Sequence, residues 1–152
     1  MNPSIREQIA DYFVGVLQAS GAPAGLTVHR ERTRPIEAAN DLPAILLYFE
    51  DDTPESTAQE RQPPLVERSL HIIVELRARV TGGVSSDRTL DPLLVWTDQQ
   101  ITQNEKAGGL ANDAKLGKIT WIPKEADVTV AAAIANYHIR YRTARTDPTS
   151  RN

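Results

Sequence analysis

The stretch Val66–Arg79, VERSLHIIVELRAR, decides the fold class. Leu70, Ile72, Val74 and Leu76 alternate with His71, Ile73, Glu75 and Arg77, the period of two that a strand with one buried face requires. Near the end of the chain, Ala133–Arg142 (AIANYHIRYR) repeats the scheme. There Ala135, Tyr137, Ile139 and Tyr141 fall on one side, and Asn136, His138, Arg140 and Arg142 on the other. Both runs are long against the usual strand of about five or six residues. Each also carries cationic residues on the face away from its core, so that second face is where a function is sought.

Ahead of the central strand, Ser4-Ile5-Arg6-Glu7 matches a capping box, in which the Ser4 hydroxyl accepts from the Glu7 amide. Ile5, Ile9, Tyr12, Phe13, Val16 and Leu17 then form one apolar stripe of a helix reaching about Ser20. Gly21 and Pro23 stop it. Leu26–Arg34 reads as a weaker edge strand and Pro35–Pro43 as a loop. Ala44–Glu50 (AILLYFE) reads as a short, nearly continuous apolar strand. The stretch Asp51–Pro64 has no large apolar residue. It buries too little to offset its ordering entropy, so a mobile loop over 51–64 is expected, an arm that orders against a partner.

Beyond the central strand, Thr81–Ser86 is flexible punctuation. A helix is expected from about Leu90 to Asn104, with Pro92 in its first turn. Gly108-Gly109 opens a turn, Lys115–Ile122 forms a strand ended by Pro123, and Val128–Arg142 forms the last long strand. These elements predict an α+β two-layer sandwich, in which two helices pack on one face of a sheet of about five strands, mostly antiparallel and possibly mixed. The domain is expected to span residues 1–148, with 149–152 a frayed tail.

At 152 residues the chain suits one domain with its own core. No apolar run approaches the roughly 18 residues that a membrane helix needs, and MNPSIREQIADYF lacks the apolar region of a secretory signal. With no cysteine, disulfides and thiolate chemistry are excluded. A formal net charge of −3 argues against whole-molecule attraction to nucleic acid or anionic membrane. The signs are nevertheless uneven: Asp51, Asp52, Glu55 and Glu60 crowd one stretch, and Arg140, Arg142, Arg145 and Arg151 another.

No catalytic signature emerges: there is no GxSxG, no Walker-type glycine loop and no HExxH. His29, His71 and His138 lie far apart, each on a strand, without the helical spacing of a metal pair. Asp51-Asp52 reads as acidic solubility at a loop. No catalytic, cofactor-binding or metal-binding residue is therefore expected. The surface residues singled out are Arg77, Arg79, His138, Arg140 and Arg142, as a subunit interface or lumen. Asp51, Asp52, Glu55, Glu60 and Arg61 are singled out as a partner-binding loop.

Six segments in this order carry a resemblance: the opening helix, TVHRERTRPIEAANDLPAILLYFEDD, RSLHIIVELRAR, LDPLLVWTDQQI, GGLANDAKLGKITW and YHIRYRTARTDP. Over roughly Ile5 to Pro148 the chain resembles the phage tail terminator family, which includes minor tail protein U and prophage tail proteins. That resemblance implies a structural subunit, without catalysis or cofactor, that forms a hexameric ring on the tail tube. Such a ring stops tube polymerisation and offers its other surface to head-completion or neck proteins. The implied partners are thus its own copies, the tail tube protein and a neck protein, with DNA only passing through the lumen and no membrane. The implied location is the virion tail, and the host cytoplasm during assembly. The competing readings are another tail-completion protein, a small cytosolic enzyme with an inter-subunit site built on His71, His138 and Glu75, and a bacterial ligand-binding domain.

Overall fold

A computed structural model of the protein describes residues 1–30, 42–58, 65–122 and 129–151. Helix α1 (Ile5–Leu17) starts at Ser4, whose side chain accepts from the Glu7 amide at 3.3 Å, as the capping box predicts. Strand β1 (Thr27–His29) follows, then β2 (Ala44–Ala58) and β3 (Leu65–Arg79). Helix α2 (Ser86–Gln103), a short 3₁₀ turn (Ala107–Gly109), β4 (Ala111–Ile122) and β5 (Val130–Ala144) complete the order. The five strands form one sheet, β1-β2-β3-β5-β4, with β1 parallel to β2 and every other pair antiparallel. This is the expected α+β sandwich on a mixed sheet.

The core lies between the sheet and its two helices. Leu70, Ile72, Val74 and Leu76 of β3 and Tyr137, Ile139 and Tyr141 of β5 bury the predicted face. Against them pack Ile5, Ile9, Phe13 and Leu17 of α1 and Leu90, Leu93, Leu94 and Ile101 of α2. Each such side chain contributes on the order of 1.5–3 kcal/mol when taken from water. The alternation in the two long strands therefore does most to set which side of the sheet the helices cover.

Three expectations are corrected. First, residues 51–58 are not a loop: β2 continues through them, paired with β3 down to Ala58 opposite Leu65. Low apolar content says that a segment cannot bury side chains, but ladder hydrogen bonds use only the main chain. Residues 59–64 of that expected loop lie outside the described residues. Second, α2 begins at Ser86, a turn earlier than expected, which leaves Pro92 inside the helix. Asp87 holds that added first turn, where unpaired amides favour a carboxylate. Its carboxyl sits below the ordinary range because the Ser85 side chain and the Arg88 amide hydrogen-bond to it. Third, the tail is not frayed over 149–151. The Ala144 amide donates to the Ser150 carbonyl at 2.8 Å, and the Ile5 amide to the Pro148 carbonyl at 3.0 Å. Pro148, just before the tail, thus satisfies one of the unpaired donors of the first turn of α1.

The turn after α2 holds two glycines in the left-handed region, Gly108 and Gly109, and the first is closely enclosed. Gly108 has φ +66°, and a Cβ there would lie 2.9 Å from the Tyr12 ring of α1, whose hydroxyl donates to Asn104 Oδ1. Gly108→Ala is therefore expected to destabilise the fold by about 1–3 kcal/mol, from left-handed strain plus the ring clash. A urea-denaturation midpoint equal to wild type would show that the turn relaxes freely.

Candidate functional site

The sheet face away from the helices carries the residues singled out from the sequence. It is not bare: Leu46, Ile73 and Glu75 on it are 1%, 7% and 6% exposed. Glu75, expected on a solvated or subunit-covered face, is instead enclosed by its own neighbours. It accepts from Arg77 Nε at 2.9 Å and Nη2 at 2.5 Å, and from the Tyr48 hydroxyl at 3.4 Å.

The same pattern recurs along the face. Arg142 donates from Nε to Glu67 Oε1 at 2.9 Å, and Arg140 donates to both Asp113 oxygens. Those hydrogen bonds hold the Asp113 carboxyl below its ordinary value. The face that reads as basic in sequence is thus a ladder of ion pairs closed within one chain. Glu67 and Arg142 are register partners across β3 and β5, a fact no one-dimensional reading supplies. Arg79 stands apart at the end of β3, beside Pro23, Pro43 and Pro92. The structure therefore brings Arg77, Arg140 and Arg142 onto one face, but as neutralised pairs.

His71 and His138 stand directly opposite each other in register, with ring centroids 3.9 Å apart and edge-on at 75°. Asp51 Oδ1 and Oδ2 lie 3.0 and 3.1 Å from His71 Nδ1. On the far side of His138, Gly117 leaves the space that the ring fills, since a Cβ at 117 would sit 2.7 Å from His138 Nε2. A glycine inside the strand pattern KLGK is the sequence signal that marks this close approach. His29 is remote from the pair and contacts Thr27. Around the two rings opens a concave groove of about 700 Å³, floored by Ile73, Ile134 and Asn136 and flanked by Tyr48, Glu50 and Lys118.

The residues grouped as a partner-binding loop separate. Glu55 and Asp51 are exposed on β2. Asp52 is not, because a bulge between Phe49 and Asp51 shifts the register and turns Asp52 toward the helices, opposite Leu70. Its side chain is 11% exposed, within 3.1 Å of Arg6 Nη1 and 3.7 Å of Arg68 Nη1. It accepts the Tyr141 hydroxyl at 2.7 Å, and burial together with that anion pushes the phenol well above its ordinary value. Asp52 thus ties α1, β3 and β5 together on the helix side of the sheet. Glu60 and Arg61 lie outside the described residues.

The two borders of the sheet were not picked out from sequence. Strand β1 covers only Ala44–Leu46 of β2, so among the described residues the outer edge of β2 from Leu47 to Ala58 carries no partner strand. That edge presents Glu50, Asp51 and Glu55, with Pro54 among them. At the opposite border, among the described residues, β4 pairs only with β5. It exposes Lys115 and Lys118 along with Leu116, Trp121 and Ile122, which are 38%, 47% and 40% exposed. Compared with protein-family models and with curated proteins, the chain matches none.

Proposed function

We propose that this protein is a structural subunit of a phage or prophage tail, forming a ring that caps the tail tube. The ring would end tube polymerisation and offer a surface for joining the head. The observation that carries this reading is the pair of unlike sheet borders, acidic on β2 and basic on β4. Charge and proline on an edge discourage pairing with an identical edge. Two β4 borders repel, as do two β2 borders, which disfavours a two-fold dimer. A β2 border meeting a β4 border is attractive, and that head-to-tail contact is the heterologous kind that closes rings. The exposed Leu116, Trp121 and Ile122 on β4 supply the apolar area such a contact needs.

On this reading the subunit contact lies at the strand borders. The arginine ladder, already paired within the chain, is left to face the lumen or solvent. The resemblance over Ile5 to Pro148 supplies the tail context and the expectation of six copies. Light scattering across a concentration series, alone and with isolated tail tubes, tests the ring: a hexamer in either condition supports it, and a monomer in both overturns it. Electron microscopy of particles made without the protein then separates terminator from neck factor. Overlong tubes are expected, whereas normal-length tubes that fail to join heads would assign the neck role.

A further inference from the structure

We propose that the face opposite the helices holds a divalent transition-metal site built by Glu50, Asp51 and His71, with the His138 ring packed against His71. One ligand atom from each of Glu50, Asp51 and His71 lies within 4.8 Å of the others. The bulge that separates Phe49 from Asp51 in the β2 register lets the consecutive residues Glu50 and Asp51 both reach the ring opposite. Asp51 already contacts His71 Nδ1 with both oxygens, and His138 stands across the ladder from His71. The cluster thus draws on two paired strands, β2 and β3, a rigid base for a binding site.

The donor set selects the class of ion. Imidazole nitrogen with carboxylate oxygen suits zinc, nickel or cobalt, whereas calcium and magnesium take oxygen shells. A zinc ion with bonds of about 2.1 Å holds its ligand atoms roughly 3.4–4.2 Å apart. Separations of up to 4.8 Å are close enough for side-chain rotation, without movement of the strands, to bring these atoms to that spacing. Two neighbouring carboxylates beside an imidazole carry excess negative charge, which a divalent cation neutralises where one histidine cannot. The site sits at the rim of the concave groove, so water or an external ligand can complete the coordination.

The test is calorimetric titration of the untagged chain with zinc chloride, paired with long-range proton–nitrogen spectra of the three imidazoles. One saturable equivalent is expected, with the largest nitrogen shifts at His71 and none at His29. Calcium and magnesium chloride should not compete. His71→Ala should weaken zinc binding at least about tenfold, and His29→Ala should leave it unchanged. No saturable binding, shifts centred on His29, or undiminished affinity in His71→Ala would each overturn the site. The wild-type spectra decide the matter even if a variant fails to fold. Neither the probe nor the readout involves ring assembly, so this result and the ring proposal stand or fall separately.

Discussion

Asp52→Ala is expected to lower folding stability by about 2–4 kcal/mol, read as a shifted urea midpoint at unchanged slope. The carboxylate serves α1 through Arg6, β3 through Arg68 and β5 through Tyr141 at one point. Removing it leaves a mostly buried phenol without its acceptor and two guanidinium groups without their counter-charge. Arg6 is 43% exposed and recovers water, which keeps the loss below that of a fully enclosed ion pair. Tyr141→Phe removes only the hydroxyl and should cost less, about 1 kcal/mol. If Asp52→Ala and Asp51→Ala prove equally mild, the division of this acidic pair into an inward and an outward member is wrong.

Reversing the β4 border with Lys115→Glu and Lys118→Glu is expected to weaken head-to-tail assembly at least about a hundredfold, roughly 3 kcal/mol. Reversing the β2 border with Glu50→Lys and Glu55→Lys should do the same. All four side chains are exposed, so each doubly substituted protein should melt like wild type. The informative step is mixing. One variant has two acidic borders and the other two basic ones, so an alternating ring restores every contact, and an even-numbered ring closes. Recovery of assembly in the mixture, with neither variant assembling alone, is the predicted result. Normal rings from either variant alone would eliminate the border contact. Arg140→Glu makes a useful comparison, since it sets a carboxylate against Asp113 within the chain and acts on stability before it acts on assembly.

Much of the fold is legible in sequence because its strongest signals are local. The capping box at Ser4, the stripe from Ile5 to Leu17 and the alternation at Leu70–Leu76 each follow from periodicity over a few residues. What failed was composition used as a stand-in for structure. The polar stretch after Glu50 looked unable to fold, yet its main chain pairs with β3 over Asp51–Ala58. The expected start of α2 near Leu90 falls short because the apolar stripe begins there, whereas the observed helix adds the polar turn Ser86–Thr89 before it.

The candidate site was less legible. His71 and His138 stood out as residues on the free faces of two strands, but their meeting rests on the register of β3 against β5, fixed by side chains packed along the whole length of both. Arg140 and Arg142 were found without their carboxylates, because Asp113 and Glu67 are far from them along the chain.

The central strand VERSLHIIVELRAR marks the division. Its sequence by itself determined that it is a strand and which face meets the core, because side-chain alternation is a property of one extended chain. Only the tertiary structure decided what its other face does. There Glu75 is buried against Arg77 and Tyr48, and His71 is set between Asp51 and His138. Tyr48, Asp51 and His138 come from the strands on either side, and their alignment is a product of pairing across the sheet that no single segment encodes.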